Sequence, residues 1–236
     1  MIAVPPPTSD TNLEIIAYGP NVDGYLLPEA PWAAFRAGRV NPVSGFITGV
    51  NRDEATLFTI NKKIESPADF ESAVRAIVPA HVDEVLAMYP APSAAHATLK
   101  DAYNAFITDT AFACPTRAQA RILAGRGVPT YLYLFDRLGS RKGPLDLGVH
   151  HGAELPFVFG NFTASAGATD ADRAFSDTLM GYWTRFAASG DPGGTLAWPP
   201  LSASNEVYLQ LGEPLRTATG LRASTCDQID SWFDGE

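Results

Sequence analysis

Gly148-Val-His-His-Gly-Ala-Glu-Leu-Pro-Phe-Val-Phe-Gly160 places two adjacent histidines on a glycine-marked turn that runs directly into an apolar block, Leu155 to Phe159. An imidazole at the edge of a hydrophobic pocket can exchange protons near neutral pH. Gly152 lets the backbone come close to whatever the histidine serves. Glu154, three residues past His151, is the nearest charge. Taken alone, the stretch reads equally well as a surface loop with two incidental histidines.

A histidine base needs an acid to orient it and a nucleophile to serve. The acid candidate lies upstream, in Val43-Ser-Gly-Phe-Ile-Thr-Gly-Val-Asn-Arg-Asp-Glu54. Phe46 to Val50 reads as a short buried strand ending in the charged cluster Asn51-Arg52-Asp53-Glu54. Open α/β sheets place their chemistry just past the carboxyl ends of strands. A solvated strand-end turn is the competing reading of the same residues.

Together the two stretches resemble the type-B carboxylesterase family, the cholinesterase-like branch of the α/β-hydrolases. Gly49-Val-Asn-Arg-Asp-Glu54 is similar to that family's acid motif, G-V-N-[KR]-D-E. Gly148 to Gly160 is similar to its histidine motif, G-[AV]-x-H-G-x-E with an apolar run ending in F-G. Carried over by position, the resemblance implies Glu54 as the triad acid and His151 as the base, with His150 at a variable position. Similarity extends along most of the chain. Gly19-Pro-Asn-Val-Asp-Gly24 with Leu27-Pro28, the strand Val128 to Asp136, and Tyr182-Trp-Thr-Arg-Phe-Ala187 followed by Gly190-Asp-Pro192 and Trp198-Pro199 all look like family stretches in family order.

The nucleophile of this fold sits in a G-x-S-x-G elbow, and the triad runs Ser, acid, His along the chain. No serine here lies in that pattern, and there is no Gly-Gly-Gly oxyanion loop. With the acid already at position 54, the resemblance implies residues 1–236 as the C-terminal portion of such a domain, the N-terminal half being absent. The implied fold is α/β, a mainly parallel sheet sandwiched by helices, of which this chain carries the second half. The implied function is carboxylic-ester hydrolysis, with this chain supplying acid and base and being inactive alone. A catalytically silent hydrolase-like binding module is the alternative. Leu155, Phe157, Val158 and Phe159 are expected to line or support the substrate pocket. The implied partners are a small-molecule ester and the missing N-terminal half, and no cofactor is implied.

Composition agrees with a globular domain: of 236 residues, 46% are apolar and 18% charged. The net charge of −9, with acidic residues scattered, argues against nucleic acid, whose phosphates need a basic surface. No apolar run has the length of a membrane span, and no signal peptide is visible at the N-terminus. Cys114 and Cys226 lack the company of metal ligands, so no metal is expected. Residues alone leave a bridge and two buried thiols equally open. The resemblance of Phe112-Ala-Cys-Pro115 and Cys226-Asp-Gln-Ile-Asp-Ser-Trp-Phe233 to the family's late disulfide pair favours a bridge, and with it a secreted or periplasmic location.

Residues 1–12, with Pro5-Pro6-Pro7, form an extended lead-in. Helices are expected over Glu29–Ala37, from Ser66 to Pro79, over His81–Met88, Ala94–Ala113, Thr116–Ala124 after an interruption at Pro115, Asp170–Ala188, and from Leu221 onward. Strands are expected over Thr130–Phe135, Glu206–Leu211 and Leu215–Ala218, the last two as a hairpin through Gly212-Glu213-Pro214. Asn161 to Ala168 reads as a loop.

Overall fold

The computed structural model describes residues 20–140, 145–162, 167–202 and 204–232. The expected lead-in over 1–12, Gly19, residues 163–166 of the 161–168 loop and Phe233 fall outside the described residues. The chain forms two compact units: residues up to 41, 54–115 and from 222 onward, and residues 42–53 with 116–221.

The first unit is helical. Helix α1 covers Pro31–Arg36, α2 Pro67–Arg75, α3 Val82–Met88 and α4 Leu99–Thr108. Ser66 caps α2: its hydroxyl accepts the Asp69 N–H while the Asp69 carboxylate accepts the Ser66 N–H. Helix α2 stops at Arg75, short of Pro79. Helix α4 starts at Leu99 rather than at Ala94, because Thr98 and Asp101 form the same reciprocal cap there. A core of Phe70, Val74, Val78, Val85, Tyr89, Tyr103 and Phe106 joins α2, α3 and α4. Burying each such side chain is worth about 1.5–3 kcal/mol.

Pro115 does not interrupt the helix, contrary to the sequence expectation. A wider π turn, Asp109–Ala113, follows α4, with the Cys114 N–H reaching back to the Asp109 carbonyl. Helix α5, Cys114–Gly125, then restarts with Pro115 in its first turn, where a missing N–H is tolerated.

The Cys114–Cys226 disulfide is formed, with Cα atoms 5.0 Å apart. It ties helix α8, Ala223–Ser231, to the start of α5. Polar contacts add to that docking. Asp109 is buried between the Tyr89 hydroxyl (2.9 Å) and Arg222 (3.3 Å), and burial pushes its carboxyl up against the pull of Arg222. Glu84 accepts from the Trp232 indole (2.8 Å) and pairs with His81 (3.0 Å), whose ring stacks on Trp232 at 4.8 Å.

The second unit holds a sheet with strand order β1-β2-β3-β4. Strands β1 (Phe46–Asn51), β2 (Thr130–Asp136) and β3 (Val207–Gly212) run parallel, and β4 (Arg216–Thr219) turns back as the expected hairpin. Central β2 is apolar on both faces, as a strand covered on both sides must be. Helix α7, Asp170–Ser189, packs on the sheet through Phe175, Leu179, Tyr182, Trp183 and Phe186, ending at Gly190 in the left-handed conformation. Trp198 closes this layer, its indole donating to the Leu132 carbonyl at 3.1 Å.

Buried arginines fasten the unit. Arg117, 2% exposed in its side chain, holds Glu206 through two hydrogen bonds of 2.8 and 3.0 Å. Arg137 pairs with Asp172 at 2.9 Å and lies over the rings of Phe157 and Phe175. Despite burial, hydrogen bonds from Ser140, Thr169 and Arg137 hold the Asp172 carboxyl well below the ordinary carboxylate range.

The disulfide closes a loop of 112 residues. Replacing both cysteines with alanine is expected to lower stability by at most about 4–5 kcal/mol. Chemical denaturation measures that loss, and a thiol reagent applied to the unfolded, unreduced chain should find no free sulfhydryl.

Candidate functional site

The structure shows how the strand-end segment and the histidine loop hold each other. In the second unit, β1 ends in Asn51 and delivers Arg52 and Asp53 past its carboxyl end, against the loop that carries His151. The Asp53 N–H donates to the Val149 carbonyl at 3.0 Å. In return the Val149 N–H donates to Asp53 Oδ2 at 2.7 Å. Asn51, only 2% exposed, donates from Nδ2 to the His150 carbonyl at 2.7 Å and to the Glu154 carboxylate. The histidine loop is thus held at residues 149, 150 and 154 by the strand-end segment.

Arg52 extends this arrangement across the sheet. Its guanidinium meets Asp53 at 3.0 Å and Asp136, at the end of β2, at 2.5 Å. Asp136 also takes a hydrogen bond from Gln210 of β3, and Arg216 of β4 donates to Gln210 at 2.9 Å. One polar chain therefore links all four strands.

Two glycines make the close approach possible. Gly49 is the register partner of Tyr133, and a Cβ there would lie 2.3 Å from the Tyr133 ring. Gly148 has φ +60°, and its Cβ would lie 2.4 Å from Asp53 Oδ2.

Within the loop, Ala153 N–H bonds back to the His150 carbonyl at 3.0 Å, and Gly152 takes φ +82°. His150 Nδ1 lies 2.8 Å from the His151 carbonyl. A carbonyl only accepts, so His150 carries its proton on Nδ1 and is committed to that bond. His151 itself is exposed.

The apolar run forms a short helix, α6, Leu155–Val158. Phe157 is 4% exposed and belongs to the core, packed on Phe135, Phe162 and Phe175. Val158 packs beside it. Leu155 and Phe159 are instead 50% and 72% exposed.

Glu54 stands in the first unit, 5% exposed, opening a single 3₁₀ turn over Glu54–Thr56. Sequence reasoning missed the side chains that hold the segment after it. Ala55 N–H donates to Thr108 Oγ1 at 3.1 Å, Thr59 meets the Asn104 amide at 2.6 Å, and Lys100 Nζ donates to the carbonyls of Thr59 and Lys62. The available signal was polar residues recurring every four positions on an otherwise amphipathic helix. Burial, with Lys62 nearby, pushes the Lys100 ammonium down to about 8. Among the described residues, no three His, Cys, Asp or Glu are grouped to hold a metal ion, and no helix is long and apolar enough to cross a membrane.

Gly148→Ala forces a side chain into the Asp53 carboxylate from a left-handed backbone position, and a loss of about 1–3 kcal/mol is expected. Faster exchange of the Val149 and Asp53 amides would report it locally. Lys100 gives a pH signature. Its folded value lies below the ordinary 10.5, so between about 8 and 10.5 the unfolded chain binds more protons than the folded one. Stability should therefore gain a rising contribution with pH across that window, and Lys100→Met should flatten it in denaturation curves taken from pH 7 to 11.

A family model described as the carboxylesterase family matches residues 6–229. The chain is 32% identical to acetylcholinesterase of Bungarus fasciatus over 88% of its own length and 38% of that protein. It is 28% identical to cholinesterase of Mus musculus over 92% of its length and 40% of that protein. It is 31% identical to acetylcholinesterase of Gallus gallus over 76% of its length and 24% of that protein. The chain thus spans less than half the length of each of these curated relatives. Its parallel sheet, its packed helices and the match along nearly all its residues place it by fold among the α/β-hydrolases, and the chain belongs to the carboxylesterase family.

Proposed function

We propose that this chain supplies the acid and base of a Ser-Glu-His carboxylic-ester hydrolase, Glu54 being the acid and His151 the base. The nucleophile and oxyanion donors come from a segment outside these 236 residues. One observation carries the reading. Asp53, the residue before Glu54, and Val149, two residues before His151, are hydrogen-bonded to each other in both directions. Family membership supports it, as does the fit of Gly49–Glu54 and Gly148–Gly160 to the family's acid and histidine motifs.

In this reading the ionised Glu54 accepts a hydrogen bond from one ring nitrogen of His151 and fixes its tautomer. The other nitrogen takes the proton of a serine hydroxyl as its oxygen attacks the ester carbonyl. His151 returns that proton to the departing alcohol, leaving an acyl-enzyme. Water then repeats the cycle and releases the acid. His150 stands at the motif's variable position, and its Nδ1–H is turned to the His151 carbonyl rather than to an orienting carboxylate. The exposed Leu155 and Phe159 offer apolar surface to the acyl or alcohol group, with Phe157 and Val158 supporting them from the core. The substrate class is a small carboxylic ester. The disulfide favours an oxidising compartment, outside the cell or in the periplasm.

The test joins the chain to the segment that carries the serine elbow. Glu54→Gln and His151→Gln should each cut ester turnover by several powers of ten. His150→Gln forfeits one hydrogen bond and should cost about tenfold or less. The reverse ranking of the histidines would overturn the base assignment. One-to-one labelling of any serine of the 236-residue chain alone by an organophosphonate would overturn the missing-nucleophile reading.

A further inference from the structure

Lys100, Asn104 and Thr108 stand four residues apart along α4 and form one stripe on its surface. All three side chains bond to a single stretch, residues 55 to 62. Thr108 accepts the Ala55 N–H at 3.1 Å, Asn104 meets the Thr59 hydroxyl at 2.6 Å, and Lys100 donates to the Thr59 carbonyl and, at 2.7 Å, to that of Lys62. Thr59 also donates to the Ala55 carbonyl at 3.0 Å, so both polar groups of the Ala55 backbone are engaged by threonine hydroxyls.

We propose that Lys100, Asn104 and Thr108 are positioning residues for Glu54, fixing the direction in which its carboxylate leaves the backbone. The proposal rests on the reading of Glu54 as the triad acid. Its physical basis is the weakness of the element that bears Glu54. A single 3₁₀ turn has poor internal hydrogen bonding, and its first N–H groups have no partner within the turn. Thr108 supplies that partner to Ala55. The Glu54–Ala55 peptide plane is thereby set, and with it the backbone angle that aims the Glu54 Cα–Cβ bond. Lys100 and Asn104 seal the other end of the stretch. None of the three needs to touch a substrate; they act through the acid, where a displacement of about 1 Å can cost on the order of 100-fold in rate.

The 236-residue chain itself allows the test, by NMR on isotopically labelled protein. Thr108→Val deletes the hydroxyl at nearly constant shape, and Thr108→Ser restores it. In Thr108→Val the Ala55 amide should exchange about tenfold faster or more. The three-bond couplings that report the Glu54 side-chain rotamer should move from a single-rotamer pattern to an averaged one, and Thr108→Ser should return both to wild type. A purely structural stripe would change the exchange and leave the Glu54 couplings alone, which would overturn the proposal. So would unchanged couplings together with unchanged exchange. If Thr108→Val does not fold, Lys100→Met carries the same rotamer readout, because it removes the Nζ that donates to the Thr59 and Lys62 carbonyls. The acid assignment fails separately, through a Glu54→Gln enzyme that still turns over ester, and that result would leave the hold of the stripe on Glu54 intact.

Discussion

The two-way hydrogen bond between Asp53 and Val149 is the constraint on which the histidine loop depends. That loop bends at Gly148 and Gly152, both at positive φ, so its local sequence gives little to hold it in one shape. The strand-end segment does so from outside: Asp53 holds the backbone at Val149, and Asn51 holds it at His150 and Glu154. A parallel sheet makes this possible, because β1, β2 and β3 all end on the same side. Segments far apart in sequence can then exchange hydrogen bonds over short, stiff distances.

Charge is handled differently at the surface and in the core. Arg52 is 43% exposed in its side chain, so its pairs with Asp53 and Asp136 are screened and each contributes little to stability. Their use is orientation: Arg52 keeps the Asp53 carboxylate turned toward the Val149 N–H. Arg117 and Arg137 are buried, where an unpaired charge would be costly, and each is matched to carboxylates. Arg137 does two further things, placing its plane on Phe157 and Phe175 and reaching Glu213. It thereby fixes the helix that follows the histidine loop to the start of α7.

Much of this architecture is legible in the sequence, for reasons that differ by element. Helix α7 is written in its apolar spacing, its Thr169–Asp172 cap and its Gly190 stop. The β3–β4 hairpin follows from two short stretches that read as strands, Glu206–Leu211 and Leu215–Ala218, flanking Gly212-Glu213-Pro214. The continuity of the chain through Pro115 is not legible, because it depends on a π turn that no local composition announces. The start of α4 was misplaced because Ala94-Ala95 favours helix, whereas the Thr98–Asp101 cap closes the helix off at Leu99. In the apolar run, alternation could not separate Phe157, which enters the core, from Phe159, which does not, since a one-turn helix distributes its side chains by packing rather than by period. Lys100, Asn104 and Thr108 escaped because polar residues on a helix read as solvated until the segment they bind is known.

The motif Gly49-Val-Asn-Arg-Asp-Glu54 is long for one proposed acid, and the structure gives each other residue a task. Gly49 clears the Tyr133 ring, Val50 is buried, Asn51 holds the loop at His150, Arg52 links Asp53 to Asp136, and Asp53 holds Val149. Gly49 and Val50 fit the strand into the sheet, Asn51, Arg52 and Asp53 seat the loop, and none of these tasks requires chemistry. A relative that had given up catalysis would still need those five residues to keep its strand and loop in place. Their presence therefore speaks for family and fold, while the proposed esterase chemistry rests on Glu54 and His151.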